Sequence, residues 1–326
     1  MGKKGNTMQK TNFSFAKKRT RQMLFYAMLV TLPLIQFCIM YIGVNFRSIL
    51  FAFQKYDAVN ATYHTSFENF KTNITTIWNN LFGNNADVNL QYAWRNTLIS
   101  YSVGLVNTAI GLVAGFFIFK KLFFAGYFRI LLYIPNVISG FVTVFGFRYF
   151  IERGLPVLFP NNELFSTGGG LLANPETSFW TLTFYSLWSG FGGSLLMTTG
   201  QMSRTDKEVL EAAKIDGVNM WQEFIHIVWP TMYPVTTIGL YTGITGLFLA
   251  GPPTFVFFRT SAGPELYTFG YYMFTLVVSR DASGLLSTSN FSGYTTSATM
   301  GLMFTLIAAP LVFLLKHWFE KHDPNN

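Results

Sequence analysis

The most distinctive polar residues of this chain form a short string, Glu-Ala-Ala-Lys-Ile-Asp-Gly, at positions 211–217. Its carboxylates and its glycine suit recognition by another protein better than they suit catalysis. No acid–base pair lies in an apolar run, and the four histidines lack the spacing of metal ligands. The sole Gly-Lys pair, at 2–3, is not part of a phosphate-binding loop. The sequence therefore predicts no catalytic, metal or cofactor site on this chain.

Two short helices that meet at a glycine are predicted to carry this string. Thr205 as N-cap and Glu208 three residues later fit a capping box, and Gly217 fits the left-handed position that ends a helix. Asn219 followed by Gln222 begins the second helix. The segment is either a docking surface for a partner or an ordinary loop folded back on the membrane.

Long apolar runs surround this hairpin. Only 12% of the 326 residues are charged, against roughly 25% in soluble domains. A membrane-spanning helix needs about 20 apolar residues, and the absence of short alternating strands argues against a barrel. These features predict an all-α, polytopic membrane protein of about six transmembrane helices. The predicted spans are 24–46, 96–119, 130–150, 177–199, 233–255 and 296–315.

Basic residues set the predicted orientation. Residues 1–21 contain Lys and Arg but no acid, which places the N-terminus in the cytoplasm and explains the net charge of +8 without nucleic acid. The C-terminus and 200–231 are then cytoplasmic, and 47–94 and 256–295 are external. A shorter apolar stretch, 267–278, predicts an interfacial or re-entrant helix.

The same runs divide the chain into four parts. A basic arm comes first, then the first span with its external segment, a core that contains the 200–231 hairpin, and a short polar tail. The predicted boundaries are 1–22, 23–95, 96–316 and 317–326.

The wider pattern around the hairpin resembles the coupling loop, or EAA motif, of permease subunits in binding-protein-dependent ABC importers. The matching residues are Glu211, Ala212, Ala213, Asp216, Gly217, Phe224, Ile227, Pro230 and Pro234. Val218 and Trp229 depart from the usual Ala and Leu. The resemblance extends from the first span to the C-terminus and is closest to the sugar-permease branch, the maltose and glycerol-phosphate type. Weaker matches to that branch lie at Asn96-Thr97, Pro135, Trp221, 260–264 and Ser297-Ala298.

This resemblance implies the type I ABC importer permease fold in a bacterial plasma membrane. It implies a second, usually different, permease subunit, an extracytoplasmic solute-binding protein, a saccharide cargo and two ATPase subunits that hold ATP and Mg. The chain itself would then be non-catalytic. The resemblance assigns coupling to the ATPases to Glu211, Ala212, Ala213, Asp216, Gly217 and Phe224.

Polar residues within the spans are candidates to line a path. Aromatic faces with amide and hydroxyl groups suit a neutral sugar, although each such residue could instead serve helix packing. The candidates are Gln36, Asn107, Asn136, Tyr185, Trp188 and Tyr241. Two small-residue motifs, Gly111-x-x-x-Gly115 and Gly239-x-x-x-Gly243, predict close helix contacts inside the chain or with the partner permease.

Other functions remain as alternatives. Within the importer interpretation, amino-acid or peptide cargo is the second choice. A secondary transporter would need ionisable groups in its spans, which the uncharged runs lack. A membrane-embedded enzyme would need clustered polar groups at one depth.

Overall fold

A computed structural model describes residues 22–23, 25–57, 60, 62–83, 86–166, 170–280, 286–287 and 291–324. Helices dominate these residues, and the strands form only two short antiparallel hairpins. The all-α membrane fold class predicted from the sequence is confirmed. Of the predicted basic arm, 1–22, residues 1–21 lie outside the described residues.

The elements follow one another with short connections. The helices are α1 (Phe25–Ala52), α2 (Phe67–Phe82), α3 (Val88–Phe119), α4 (Ala125–Val137), α5 (Gly140–Leu158), α6 (Glu163–Ser166), α7 (Pro175–Met202), α8 (Lys207–Ile215), α9 (Met220–Thr245), α10 (Thr254–Phe258), α11 (Phe269–Val277) and α12 (Phe291–Lys321). Single 3₁₀ turns occur at Gly170–Leu172, Leu247–Leu249 and Pro264–Leu266. The strand pairs are β1 (Gln54–Asp57) with β2 (Thr62–Thr65), and β3 (Ser279–Arg280) with β4 (Leu286–Ser287).

Within the described residues, three helices are long and apolar enough to cross a membrane: α1, α3 and the Gly293–Lys321 part of α12. Two bent pairs raise the number of candidate spans to five if each pair counts as one. One pair is α4 with α5, and the other is α9 with Leu247–Phe258. The predicted fourth span, 177–199, lies in α7, whose 28 residues are long enough to cross but include many hydroxyl, tryptophan and glycine residues.

The predicted third span, 130–150, is wrong as a single straight helix. α4 ends at Val137 and α5 begins at Gly140, and the two are bent by 108°. Ile138 between them has an extended backbone, and Pro135 removes a backbone donor just before the break. The same predicted span contains a charged residue, Arg148. Its side chain pairs with that of Glu152 at 2.7 Å inside α5.

α3 and α7 pack closely along their length. A Cβ at Gly111 would lie 2.9 Å from the Ser194 hydroxyl oxygen, and one at Gly115 would lie 2.7 Å from that of Thr198. The motif Gly111-x-x-x-Gly115 therefore makes its close contact inside the chain. This was one of the two predicted possibilities, the other being a contact with the partner permease. Nothing in the described structure lies within 4 Å of a Cβ at Gly239 or Gly243.

The stretch 267–278, predicted as an interfacial or re-entrant helix, contains the short helix α11, whose first residues pack in the core. Phe269 is fully buried against the rings of Phe248 and Phe304, at centroid distances of 6.2 and 4.6 Å. Two further clusters of buried side chains lie between α5 and α7 and between α3, α7 and α9.

Candidate coupling surface and polar helix contacts

The first helix of the hairpin, α8, begins one residue later than the sequence predicts. Asp206 is the N-cap, with an extended backbone and a carboxylate that accepts from the N–H of Glu208 at 3.1 Å. The prediction of Thr205 as the cap is wrong, because Thr205 is buried in the preceding turn. A carboxylate at the N-cap also interacts favourably with the helix dipole.

Gly217 ends α8 in the left-handed conformation that the sequence predicts, with φ of +74°. Its N–H donates to the carbonyl of Lys214 at 3.2 Å, and the N–H of Val218 donates to the carbonyl of Ala213 at 3.0 Å. These two bonds satisfy carbonyls that a helix end otherwise leaves without partners. The chain therefore turns sharply at Gly217, where two carbonyls at the helix end accept hydrogen bonds from the residues of the turn.

The second helix of the hairpin, the start of α9, has the predicted capping box. The N–H of Gln222 donates to Asn219 Oδ1 at 2.9 Å, and the N–H of Asn219 donates to Gln222 Oε1 at 3.0 Å. Both halves of the hairpin are thus fixed by local hydrogen bonds.

The hairpin exposes acids and large apolar side chains together. Of the coupling candidates, Glu211, Ala212, Asp216 and Gly217 are exposed, Ala213 is buried, and Phe224 is partly buried. Beside them Ile215 is 86% exposed, and three other large apolar residues are also exposed: Val209, Trp221 and Ile225. Such a surface is typical of a protein-binding site.

The second helix of the hairpin contacts the C-terminal end of α3. The Phe224 ring lies 4.9 Å from that of Phe116, and Lys120 Nζ donates to both carboxylate oxygens of Glu223 at 2.6 Å. Glu223 is only 3% exposed. Sequence reasoning missed this pair, because its members are 103 residues apart and neither belongs to a local pattern.

Four of the six path candidates meet at α7. Asn107 of α3 lies so close to Gly190 that a Cβ there would be 2.6 Å from its amide nitrogen. Asn136 of α4 donates to the carbonyl of Ser189 at 2.8 Å. Tyr185 and Trp188 of α7 have ring centroids 6.1 Å apart.

Tyr185 and Trp188 belong to a packed aromatic group. Their ring centroids lie 5.0 and 6.3 Å from that of Phe147 on α5. The other two path candidates lie elsewhere: Gln36 is exposed on α1, and Tyr241 is partly buried on α9.

A small polar cavity lies beside Asn107. It has a volume of about 70 Å³ between α3, α7 and the loop at Gly251-Pro252. Ser100 Oγ and Asn107 Oδ1 are buried at this cavity and have no protein hydrogen-bond partner among the described residues. Both oxygens can accept a hydrogen bond from a hydroxyl group or from water.

Near the N-terminal end of α3, far from Lys120, Asn96 and Thr97 bind the segment before α11. Asn96 Nδ2 donates to the carbonyls of Glu265 and Tyr267 at 2.7 and 2.9 Å, and Thr97 Oγ1 accepts from the N–H of Phe269 at 2.9 Å. Asn96-Thr97 therefore contacts the segment 265–269, which directly follows the other weak match at 260–264.

A neighbouring polar contact holds α11 itself. The hydroxyl of Tyr272 donates to Asp87 Oδ2 at 3.1 Å. Burial, and then the charge of Asp87, raises the pKa of Tyr272, so its hydroxyl stays protonated and remains a donor.

Apolar, bent helices and a capped, exposed hairpin together are typical of a multi-pass membrane protein. The sequence profile described as "Binding-protein-dependent transport system inner membrane component" matches residues 107–325, and the chain belongs to that family. The family match covers the hairpin, α7, α9 and α12.

Several curated relatives have names that refer to sugar transport. AmyD of Thermoanaerobacterium thermosulfurigenes, a probable starch degradation products transport system permease protein, is 22% identical over 202 residues. That match covers 61% of this chain and 65% of AmyD, less than two thirds of its length. LacF of Rhizobium radiobacter, a lactose transport system permease protein, is 24% identical over 74% of this chain and 78% of its own.

A solved structure shares the fold. A chain of a bacterial ABC transporter involved in import of the acidic polysaccharide alginate superposes with a TM-score of 0.66. The match covers 95% of this chain and 99% of that chain at 16% sequence identity. The similarity establishes the fold of the described helices.

Proposed function

We propose that this chain is the transmembrane permease subunit of an ATP-driven importer for a carbohydrate, a mono- or oligosaccharide brought by an extracytoplasmic binding protein. The observation that carries the proposal is the family match over 107–325, which includes the capped hairpin. Relatives named for starch products, lactose and arabinooligosaccharides favour a saccharide over the alternative cargo, an amino acid or a peptide.

In this proposal the chain does no chemistry itself. A second homologous permease pairs with it to form a heterodimer, and two ATPase subunits bind ATP and Mg and hydrolyse ATP. The hairpin docks on an ATPase in the cytoplasm of a bacterium, and both termini face the same side. The residues that we place at this contact are Glu211, Ala212, Ala213, Asp216, Gly217 and Phe224.

The translocation path is proposed to pass beside α7 in the core segment 96–316. Asn107 and Asn136 offer amide groups there, and the nearby cavity has oxygens that can accept hydrogen bonds. Tyr185 and Trp188 supply aromatic groups, and Gln36 on α1 and Tyr241 on α9 remain candidates that lie apart from this group. Amide and aromatic groups suit a neutral saccharide, since they bond hydroxyls and cover sugar faces without a net charge.

Reconstitution tests this function. In proteoliposomes that contain this chain, the second permease, the ATPases and the binding protein, saccharide uptake should require both ATP and the binding protein. A matched sample with a non-hydrolysable ATP analogue should take up none above background. Uptake driven by an ion gradient, or ATPase stimulation by amino acids alone, would contradict the proposal.

A further inference from the structure

The Lys120–Glu223 pair differs from the other ion pairs of the described residues by its burial. Its side chains are 19% and 4% exposed, whereas those of Lys316–Glu320 are 50% and 65% exposed. Removing one member of a buried pair leaves an uncompensated charge, which is strongly destabilising. Breaking the pair on one side is therefore expected to loosen the second hairpin helix from the end of α3.

Aromatic contacts surround the same joint. Phe116 packs on Phe224, and the Phe117 ring lies 6.3 Å from that of Trp221 in an edge-on arrangement. The second hairpin helix is therefore held to the end of α3 by aromatic contacts as well as by the ion pair. The first helix, α8, is attached to the second hairpin helix through Gly217, and no described atom lies within 4 Å of a Cβ placed there.

α3 in turn is closely packed on α7. The contacts run from Gly115 with Thr198 and Gly111 with Ser194 towards Asn107 with Gly190, beside the polar cavity. With so little space between the two backbones, a displacement of the end of α3 shifts its register against α7 or moves both helices together.

We propose that Lys120 and Glu223 are positioning residues for coupling: their ion pair transmits displacement of the hairpin to α3 and so to the α3–α7 contact. The coupling part of this inference rests on the proposed function. The joint itself is a property of this chain alone, so the two parts can be tested separately.

The first test measures the joint without any cargo. In the purified full-length chain, amide hydrogen exchange across 220–228 should be at least about tenfold faster in Glu223→Gln and in Lys120→Met than in the wild type. Glu320→Gln, which breaks the exposed pair on α12, should leave that segment unchanged. The double variant Lys120→Met/Glu223→Gln should exchange no faster than either single variant, because two members of one pair are not additive.

The second test measures coupling in the reconstituted complex. Both single variants should raise the ATP hydrolysed per saccharide imported by about threefold or more, while Glu320→Gln keeps the wild-type ratio. A purely structural defect would lower hydrolysis and uptake together and leave the ratio unchanged.

Each outcome decides the inference. Unchanged exchange across 220–228, or additive effects in the double variant, refutes the joint whatever the cargo is. Faster exchange with a wild-type ratio of ATP to saccharide refutes the coupling role. If the wild-type complex imports no saccharide, the proposed function and the coupling role both fail, while the exchange experiment still decides whether the joint exists.

Discussion

Gly217 is the residue at which the hairpin reverses, and its constraint is conformational rather than steric. The left-handed φ of +74° suits glycine, and the two backbone bonds around it need that angle. Space is available for a side chain, since no described atom lies within 4 Å of its Cβ position. A substitution therefore acts by straining the turn and not by clashing with a neighbour.

Gly217→Ala should impair coupling while leaving membrane insertion intact. A Cβ in the left-handed region costs about 1 kcal/mol, which shifts the hairpin towards frayed conformations that dock less well. Saccharide-dependent ATPase activity of the assembled complex measures the effect, and Gly217→Pro should lower it further. Gly200→Ala is the matched control, because that glycine is exposed near the end of α7 with open space around its Cβ. Wild-type activity in Gly217→Pro would exclude the hairpin as the contact.

Among the helix pairs, α3 and α7 approach each other closely because Gly111 and Gly115 carry no side chain at the contact. The hydroxyl of Thr198 that faces Gly115 already donates to the carbonyl of Ser194 at 3.0 Å. It therefore cannot rotate away from a new methyl group without losing that bond. Two neighbouring helices are bent. The bend between α4 and α5 follows Pro135, which lacks a backbone donor, and the bend after α9 lies at Gly246, where that helix ends.

Gly115→Ala should lower the thermal midpoint of the purified chain. Overpacking of this kind costs about 1–3 kcal/mol, because Thr198 or the helix axis must move. Gly104→Ala on the same helix should be neutral or slightly stabilising, since nothing lies within 4 Å of its Cβ. Thermal unfolding in detergent compares the two, and equal midpoints would show that the α3–α7 contact is looser than described.

At the scale of the whole molecule, the described chain has two distinct ends. The hairpin, the end of α3 and the end of α12 lie together, and the Tyr233 hydroxyl donates to the carbonyl of Phe319 at 3.0 Å. The other end holds Asn96 with the segment before α11. This arrangement supports the proposal that the hairpin and the C-terminus face the same side of the membrane.

Cysteine labelling tests that orientation. In a Cys38→Ser background, Lys71→Cys on α2 should react with a membrane-impermeant maleimide added from outside, because α2 lies in the proposed external segment. Lys214→Cys on the hairpin, an equally exposed lysine, should react only after the membrane is permeabilised. External labelling at position 214 would overturn the orientation and the cytoplasmic docking surface with it.

Features set by neighbouring residues could be predicted from the sequence. The capping box at Asn219, the left-handed Gly217 and the short helix α11 each depend on a few adjacent residues. The apolar runs likewise revealed a helical membrane protein, and the hairpin string indicated its family. The cap at Asp206 was missed by one position, because Thr and Asp are both good caps and only the backbone angles select between them.

The class of protein, the positions of most helices and the local form of the hairpin could therefore be predicted before the fold was known. The tertiary structure alone decided the bend after Pro135, the contacts of Asn107 and Asn136 with α7, and the burial of Glu223. The physical reason is range. Hydropathy and capping act over a few residues, whereas the partners of Asn96 and Glu223 lie more than 100 residues away and meet only once the helices have packed.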